Sequence, residues 1–463
     1  MKSKSNSAAR RTTPRRRAPD GADPSDPAQY TPYFAYSARS GRGQSLQCER
    51  VELDRVASAV GTPAYVYSGA SIESAYRKLD AAFGAAPHTI CYAMKANPNL
   101  SVVRLFARLG SSFDIVSGGE LDRLRRIGVR GDRIVFSGVG KSRAEIRGAL
   151  EYPGTGNAAR RGILLFNVES EAELEILLEE AARCVKAGGR RASVAIRVNP
   201  DVLAGGHPHI STGHHHHKFG MDWDEARRLY LAHRDSPWIR WRGISAHIGS
   251  QILSPVPYRR AIVRLASYVQ ELAGEGIRLK YLDIGGGLGI RYTKERALEP
   301  AAFAKSVTQI ARPLGCHLLI EPGRTLVGPA GVLLTRVVYV KKNRGKTFVI
   351  VDAAMNDLIR PVLYGAAHPI TRAQRTPGSR PRRERVDVVG PVCESGDFLA
   401  HDWPLEPVAP GDLLVVWAAG AYAFTQSSNY NSRRRPAEVL VDGRRFRVVR
   451  QRQSYRDLVR GER

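Results

Sequence analysis

The chain has 463 residues, 43% of them hydrophobic, enough to bury a sizeable core spread over two or three domains. No run of about eighteen uninterrupted apolar residues occurs, which argues against a membrane-spanning helix, and the basic N-terminus lacks the apolar core of a secretory signal, so a cytoplasmic protein is expected. Basic residues outnumber acidic ones by 71 to 44, a formal net charge of +27, yet no zinc-finger spacing or RNP-like aromatic pattern accompanies the charge.

Part of that charge sits in three segments: residues 1–17, the proline-containing run from Arg372 to Arg385, and the arginine-rich stretch from Arg444 to Arg463. Without a recognisable nucleic-acid module these read as solvated surface, and no nucleic-acid partner is expected. Cys48, Cys91, Cys184, Cys316 and Cys393 are odd in number and scattered, with no CxxC spacing. They predict free thiols in a reducing compartment, with neither a disulfide framework nor a metal site.

Residues 1–28 hold almost no large apolar side chain and read as a disordered basic tail, with ordered sequence beginning near Tyr30. Short apolar runs then recur at 88–94, 112–116, 133–137, 162–167, 192–198, 242–247, 280–284 and 316–320. Between them lie segments such as 100–109 and 169–178, whose apolar residues repeat every three or four positions. Buried strands alternating with amphipathic helices in this number predict an α/β (β/α)8 TIM-like barrel over residues 60–330. After residue 330 the runs 332–340, 347–351, 386–389, 412–417 and 439–441 are strand-like, and helical periods are sparse. A second, β-sandwich or β-barrel domain is therefore expected from residues 331–455, completed by 29–59.

In a barrel of this kind reactive groups sit where the strands end. Lys95 follows the first run, His247 closes the sixth, Asp283-Ile-Gly-Gly-Gly-Leu-Gly-Ile290 follows the seventh, and Glu321-Pro-Gly-Arg324 follows the eighth. Taken singly, each has a plain structural reading: a lysine that snorkels to water, a satisfied core histidine, a glycine turn. Gly285, Gly286 and Gly287 let the backbone approach a ligand and cradle a phosphate, but a dinucleotide fingerprint would need glycine where Ile290 stands. Glu321 supplies an acid, Gly323 a close approach, and Arg324 a bidentate anion contact. Cys393, set in Gly390-Pro-Val-Cys-Glu-Ser-Gly-Asp397, is flanked by residues that expose it, unlike an ordinary buried thiol.

From about residue 35 to 442 the sequence resembles the fold-type III pyridoxal-phosphate decarboxylases, which share the alanine-racemase-like barrel plus β domain. Within them it is most similar to the diaminopimelate decarboxylase family. The segments that carry the resemblance are Ala93-Met-Lys-Ala-Asn97, Pro208-His-Ile-Ser-Thr-Gly213, Ile359-Arg-Pro361, Cys393-Glu-Ser-Gly-Asp397, Ser427-Ser-Asn-Tyr-Asn-Ser432 and Arg435-Pro-Ala-Glu438. The resemblance implies pyridoxal 5'-phosphate as cofactor and decarboxylation of meso-2,6-diaminopimelate to L-lysine, the last step of lysine biosynthesis. It implies that Lys95 forms the Schiff base with the cofactor aldehyde, that Glu321 holds the ring nitrogen and that His247 stacks on the ring. Ser250, Gly285, Gly286, Gly287 and Gly323 would receive the phosphate, with Tyr422 lining phosphate and substrate. Arg324, Arg360 and Tyr364 match positions that hold the substrate, Glu394 matches the partner of its distal amino group, and Cys393 matches the proton donor. Asp114 falls near the cofactor with no assigned role. In the family Cys393's counterpart comes from the other subunit, so the resemblance implies a homodimer with shared sites.

Two departures stand out: the run His214-His-His-His217, which reads as a mobile loop, and the excess positive charge. Competing readings are a decarboxylase of the same fold acting on ornithine, arginine or carboxynorspermidine, and a non-catalytic regulatory homologue. Retention of Lys95 and Cys393 argues against the second, and retention of Arg360, Tyr364 and Glu394 against the first.

Overall fold

The structure is a computed structural model that describes residues 31–39, 43–153, 162–202, 218–375 and 382–463. The basic tail, the Pro208–Gly213 segment and the His214–His217 run lie outside the described residues.

Eight parallel strands close into a barrel: His88–Ala93, Ser112–Ile115, Ile134–Phe136, Leu165–Val168, Ala192–Arg197, Ile239–Ser245, Tyr281–Asp283 and His317–Ile320. The eighth pairs with the first, Leu318 opposite His88 and Ile320 opposite Ile90, which closes the ring. These are the eight apolar runs of the sequence, nearly every residue of them buried, as strands covered on both faces must be. The intervening helices carry the expected signals. Leu100–Arg108 buries Val102, Val103, Leu105 and Phe106 on one face, and the Asn99 side chain caps it by accepting from the Ser101 N–H. Arg143–Leu150 opens on a reciprocal capping box between Ser142 and Glu145.

Among the described residues the second unit is built from two sheets, one of nine strands and one of four. The long strand Gly331–Asn343 lies at the centre of the larger sheet and pairs with Lys346–Val351, Leu413–Val416 and Ala64–Ser68. The smaller sheet contains Phe34–Arg39 and Gly43–Cys48. Phe34, Leu46, Val66, Leu334, Trp417 and Val441 form the core shared between the two sheets.

One feature differs from the sequence expectation that the barrel begins near residue 60. Ala64–Ser68 is a strand of the nine-stranded sheet, running between Gly331–Asn343 and Ala437–Asp442, and the first barrel strand starts at His88. Ala64–Ser68 is buried throughout, so its composition is indistinguishable from that of a barrel strand; only its pairing partners tell them apart. No helix among the described residues is long and apolar enough to cross a membrane.

Candidate active site

The barrel topology delivers polar side chains to one mouth. Lys95 sits in the short 3-10 turn Met94–Ala96 after the first strand, and Asp114 lies in the second. Lys95 Nζ donates to Asp114 Oδ2 at 2.5 Å; the carboxylate is wholly buried, whereas 37% of the lysine side chain stays open to the cavity. Removal from water pulls the ammonium pKa down, but the Asp114 and Glu321 carboxylates outweigh that and raise it above the ordinary lysine range. Asp114, to which the sequence assigned no role, is thus the group that fixes the lysine.

Glu321, just past the eighth strand, is buried at the bottom of the mouth. It accepts from Ser137 Oγ at 3.2 Å and faces Asp283, whose Oδ2 accepts from Asn167 Nδ2 at 3.0 Å. Burial first, then the neighbouring Asp114 and Asp283 carboxylates, push the Glu321 pKa up. Two acids at such range favour a proton held on one of them.

His247 is held in its neutral form by burial, reinforced by the cations of Arg197 and Lys95. The Gly286 N–H donates to His247 Nδ1 at 3.1 Å, so the neutral ring carries its proton on Nε2. The Gly285 N–H donates to Asp283 Oδ1. Two of the three N–H groups expected to cradle a phosphate are therefore committed to protein acceptors, which leaves that of Gly287. The backbone here is too tight for any side chain: a Cβ on Gly286 would lie 1.9 Å from the Glu321 carbonyl oxygen, and one on Gly323 2.9 Å from Ala96 Cβ. Tyr258 buttresses the run from behind, its hydroxyl donating to the Gly286 carbonyl at 2.8 Å.

Arg324 and Arg360 converge above this floor. Arg324 donates to Ser250 Oγ at 2.9 Å and to the Tyr292 hydroxyl at 2.6 Å, and lies over the Tyr422 ring at 4.8 Å. Its Nε is buried without an acceptor among the described residues, a donor that an incoming anion would satisfy. Arg360 packs over the rings of Tyr292 and Tyr364, and Tyr364 accepts from Gln426 Nε2. Tyr422 holds a left-handed backbone conformation (φ 54°), fixed where its N–H donates to the Ala96 carbonyl beside Lys95. Lys95, His247, Glu321, Arg324, Arg360 and Tyr422 line a cavity of about 470 Å³, with Ser250, Gly287, Gly323 and Tyr364.

Cys393 and Glu394 are not among them. Both are exposed on the turn between Glu384–Val389 and Phe398–Leu405. The Cys393 N–H donates to Asn431 Oδ1 at 3.0 Å, and the Tyr430 hydroxyl bonds Glu394. Sequence reasoning missed Tyr292, His368, Asn167 and the bonding role of Asp283. Asp283 and Asn167 had the same signal as Lys95, a polar residue at the end of a buried strand; Tyr292 and His368 had none.

A barrel whose strand ends gather a lysine, a buried acid, a glycine floor and an anion-seeking arginine defines a pyridoxal-dependent decarboxylase. The family described as "Pyridoxal-dependent decarboxylase, pyridoxal binding domain" matches residues 69–328. The chain is 47% identical to a diaminopimelate decarboxylase of Pseudomonas aeruginosa over 421 residues, covering 91% of this chain and 97% of that one. It is 44% identical to that of Vibrio cholerae over 414 residues, 89% of this chain and 95% of the relative. Among solved structures, diaminopimelate decarboxylase from Helicobacter pylori complexed with L-lysine superposes with a TM-score of 0.82 at 38% identity, covering 88% of this chain and 98% of that one. The chain belongs to the diaminopimelate decarboxylase family.

Proposed function

We propose that the chain catalyses the pyridoxal-phosphate-dependent decarboxylation of meso-2,6-diaminopimelate to L-lysine and carbon dioxide. The observation that carries this reading is one cavity holding Lys95, the buried Glu321 acid and two arginines whose hydrogen-bond partners among the described residues are uncharged. The site suits the cofactor: the Gly287 N–H and the side-chain-free floor at Gly286 and Gly323 leave room for a phosphate.

When bound, pyridoxal phosphate supplies the electron sink that stabilises the charge left behind by departing carbon dioxide. Lys95 would hold its aldehyde carbon, with Asp114 orienting the amine. Ser250, Gly287 and Gly323 would hold the phosphate, and Tyr422 would line it. As a carboxylate, its proton affinity raised by burial and by Asp114 and Asp283, Glu321 would accept from the ring nitrogen and hold it in its charged form. Neutral His247 would cover one ring face. Arg324, Arg360 and Tyr364 would bind the distal carboxylate.

Cys393 would supply the proton that replaces the lost carboxylate, and Glu394 would hold the distal ammonium, each from the partner subunit of a homodimer. Two features support the dimer. Both residues stand exposed and outside the lining of their own chain's cavity, and the exposed apolar side chains Val116, Val139, Leu253, Leu363 and Tyr430 flank the barrel mouth or the Cys393 turn. The thiols of Cys48, Cys91, Cys316 and Cys393 accord with a reducing, cytoplasmic location.

The test is carbon dioxide release from meso-diaminopimelate by the purified protein, with and without pyridoxal phosphate. Cofactor-dependent release with lysine as product is the expected result. Release from ornithine, arginine or carboxynorspermidine in its place overturns the substrate assignment.

A further inference from the structure

We propose that His368 is a positioning residue for substrate recognition: an uncharged acceptor that fixes the Arg360 fork beside Arg324 and leaves both guanidiniums unneutralised for a substrate carboxylate. The proposal rests on the reading of Arg324 and Arg360 as substrate contacts.

The local chain makes the placement. The helix Arg360–Tyr364 ends at Gly365, whose left-handed conformation (φ 58°) turns the backbone sharply, so that the Ala366 N–H returns to the Arg360 carbonyl. That reversal brings His368 back against Arg360, where it is buried to 1% exposure. Its Nδ1 lies 2.9 Å from the Trp417 carbonyl oxygen. A carbonyl only accepts, so Nδ1 carries a hydrogen, and the neutral ring then presents a lone pair on Nε2. Nε2 faces Arg360 Nε at 3.4 Å, a long hydrogen bond with the arginine donating. Trp417 is itself pinned, its N–H donating to the Pro369 carbonyl and its Nε1 to Thr371 Oγ1 at 2.9 Å, so the imidazole is set by the β unit.

The charged and titratable groups around the ring are Arg360, Arg324 and Tyr292, the last packed edge-on at 5.2 Å. Burial and then Arg360 depress the imidazole pKa to about 3, so the ring remains an acceptor throughout the working range. Proteins commonly steady a buried guanidinium with a carboxylate, which holds it firmly and cancels its charge. Here, among the described residues, Ser250, Tyr292 and His368 do the holding, and every one is neutral. Two neighbouring guanidiniums that pair with no carboxylate among the described residues attract a substrate carboxylate to this side of the cavity.

The test compares two isosteric substitutions in the holoenzyme. His368→Gln keeps a neutral acceptor near the Nε2 position, and His368→Glu places a carboxylate there that pairs with Arg360. The expected result is a KM for meso-diaminopimelate raised about 3-fold or less by His368→Gln and about 10-fold or more by His368→Glu, with kcat moving less than KM. Equal KM changes in the two variants, or a loss confined to kcat, overturn the proposal. Arg360→Ala separates this from the underlying reading. If it leaves KM unchanged, the substrate-contact reading fails; if it raises KM while the Gln and Glu variants coincide, only the role of His368 fails. Should neither His368 variant fold, nitrogen-15 NMR of histidine-labelled wild-type holoenzyme decides, with the ring assigned through its contact to Trp417. A neutral Nδ1–H tautomer at pH 6 supports the proposal, and an imidazolium there overturns it.

Discussion

Gly286→Ala probes the geometry of the site most directly, because the damage is set by backbone and not by a mobile side chain. The added Cβ would stand 1.9 Å from the Glu321 carbonyl oxygen and 2.8 Å from its carbonyl carbon, where real Cβ contacts do not fall below 3.0 Å. One strand end must retreat by about 1 Å, and over-packing of that kind costs about 1–3 kcal/mol. The upper value applies, since the opposing atoms belong to the closing strand of a barrel. At about 1 °C of melting temperature per kcal/mol for a chain this large, the loss is about 3 °C. The functional effect is greater, because Glu321, Gly323 and Arg324 move together, and a misplacement of about 1 Å lowers turnover about 100-fold. The assay pairs thermal unfolding with kcat for carbon dioxide release at saturating pyridoxal phosphate. Gly148→Ala is the control: it lies inside the helix Arg143–Leu150 with nothing within 4 Å of its added Cβ, so it should leave kcat alone and stabilise by about 0.5–1 kcal/mol. A Gly286→Ala protein with wild-type kcat and an unmoved melting temperature would refute the claim that close approach is what the glycine provides.

Lys95→Ala should abolish decarboxylation and the Schiff-base absorbance while the protein remains folded; measurable turnover by the purified variant would remove Lys95 from the mechanism. Mixing Lys95→Ala with Cys393→Ala after unfolding and refolding, or by co-expression, should restore about a quarter of wild-type activity, since half of the dimers are mixed and each has one intact site. No recovery in a verified mixed dimer would place Cys393 outside a shared site. His368 also makes a prediction about acid stability. Its pKa is lowered to about 3 in the folded chain, against about 6.5 unfolded. Its contribution is therefore present above pH 6.5 and is lost as pH falls towards 3, amounting to roughly 5 kcal/mol over the whole window. Urea unfolding midpoints measured between pH 7 and 4.5 should fall more steeply for the wild type than for His368→Gln; parallel slopes would contradict a buried, neutral ring.

The sequence by itself determined the barrel, because strands buried on both faces must be continuous apolar runs and the helices between them must be amphipathic, and both patterns are local. It also indicated Lys95, His247, the 285–287 glycines, Glu321 and Arg324, since a polar residue that stops a buried strand has few other places to go. Tertiary structure decided what such local patterns cannot carry. Ala64–Ser68 reads like any barrel strand, and only hydrogen bonding to residues more than 250 positions away assigns it to the β unit. The resemblance put Asp114 near the cofactor without a role, and only the closed barrel set it 2.5 Å from Lys95 Nζ. His368 and Tyr292 follow no motif. Each acquires its role from contacts across the fold: Tyr292 with Arg324, 32 residues on, and His368 with the Trp417 carbonyl, 49 residues on. Residue type fixes what a side chain can donate, accept or titrate, whereas the charge state and partner that make it functional are set by burial and by neighbours distant in the chain.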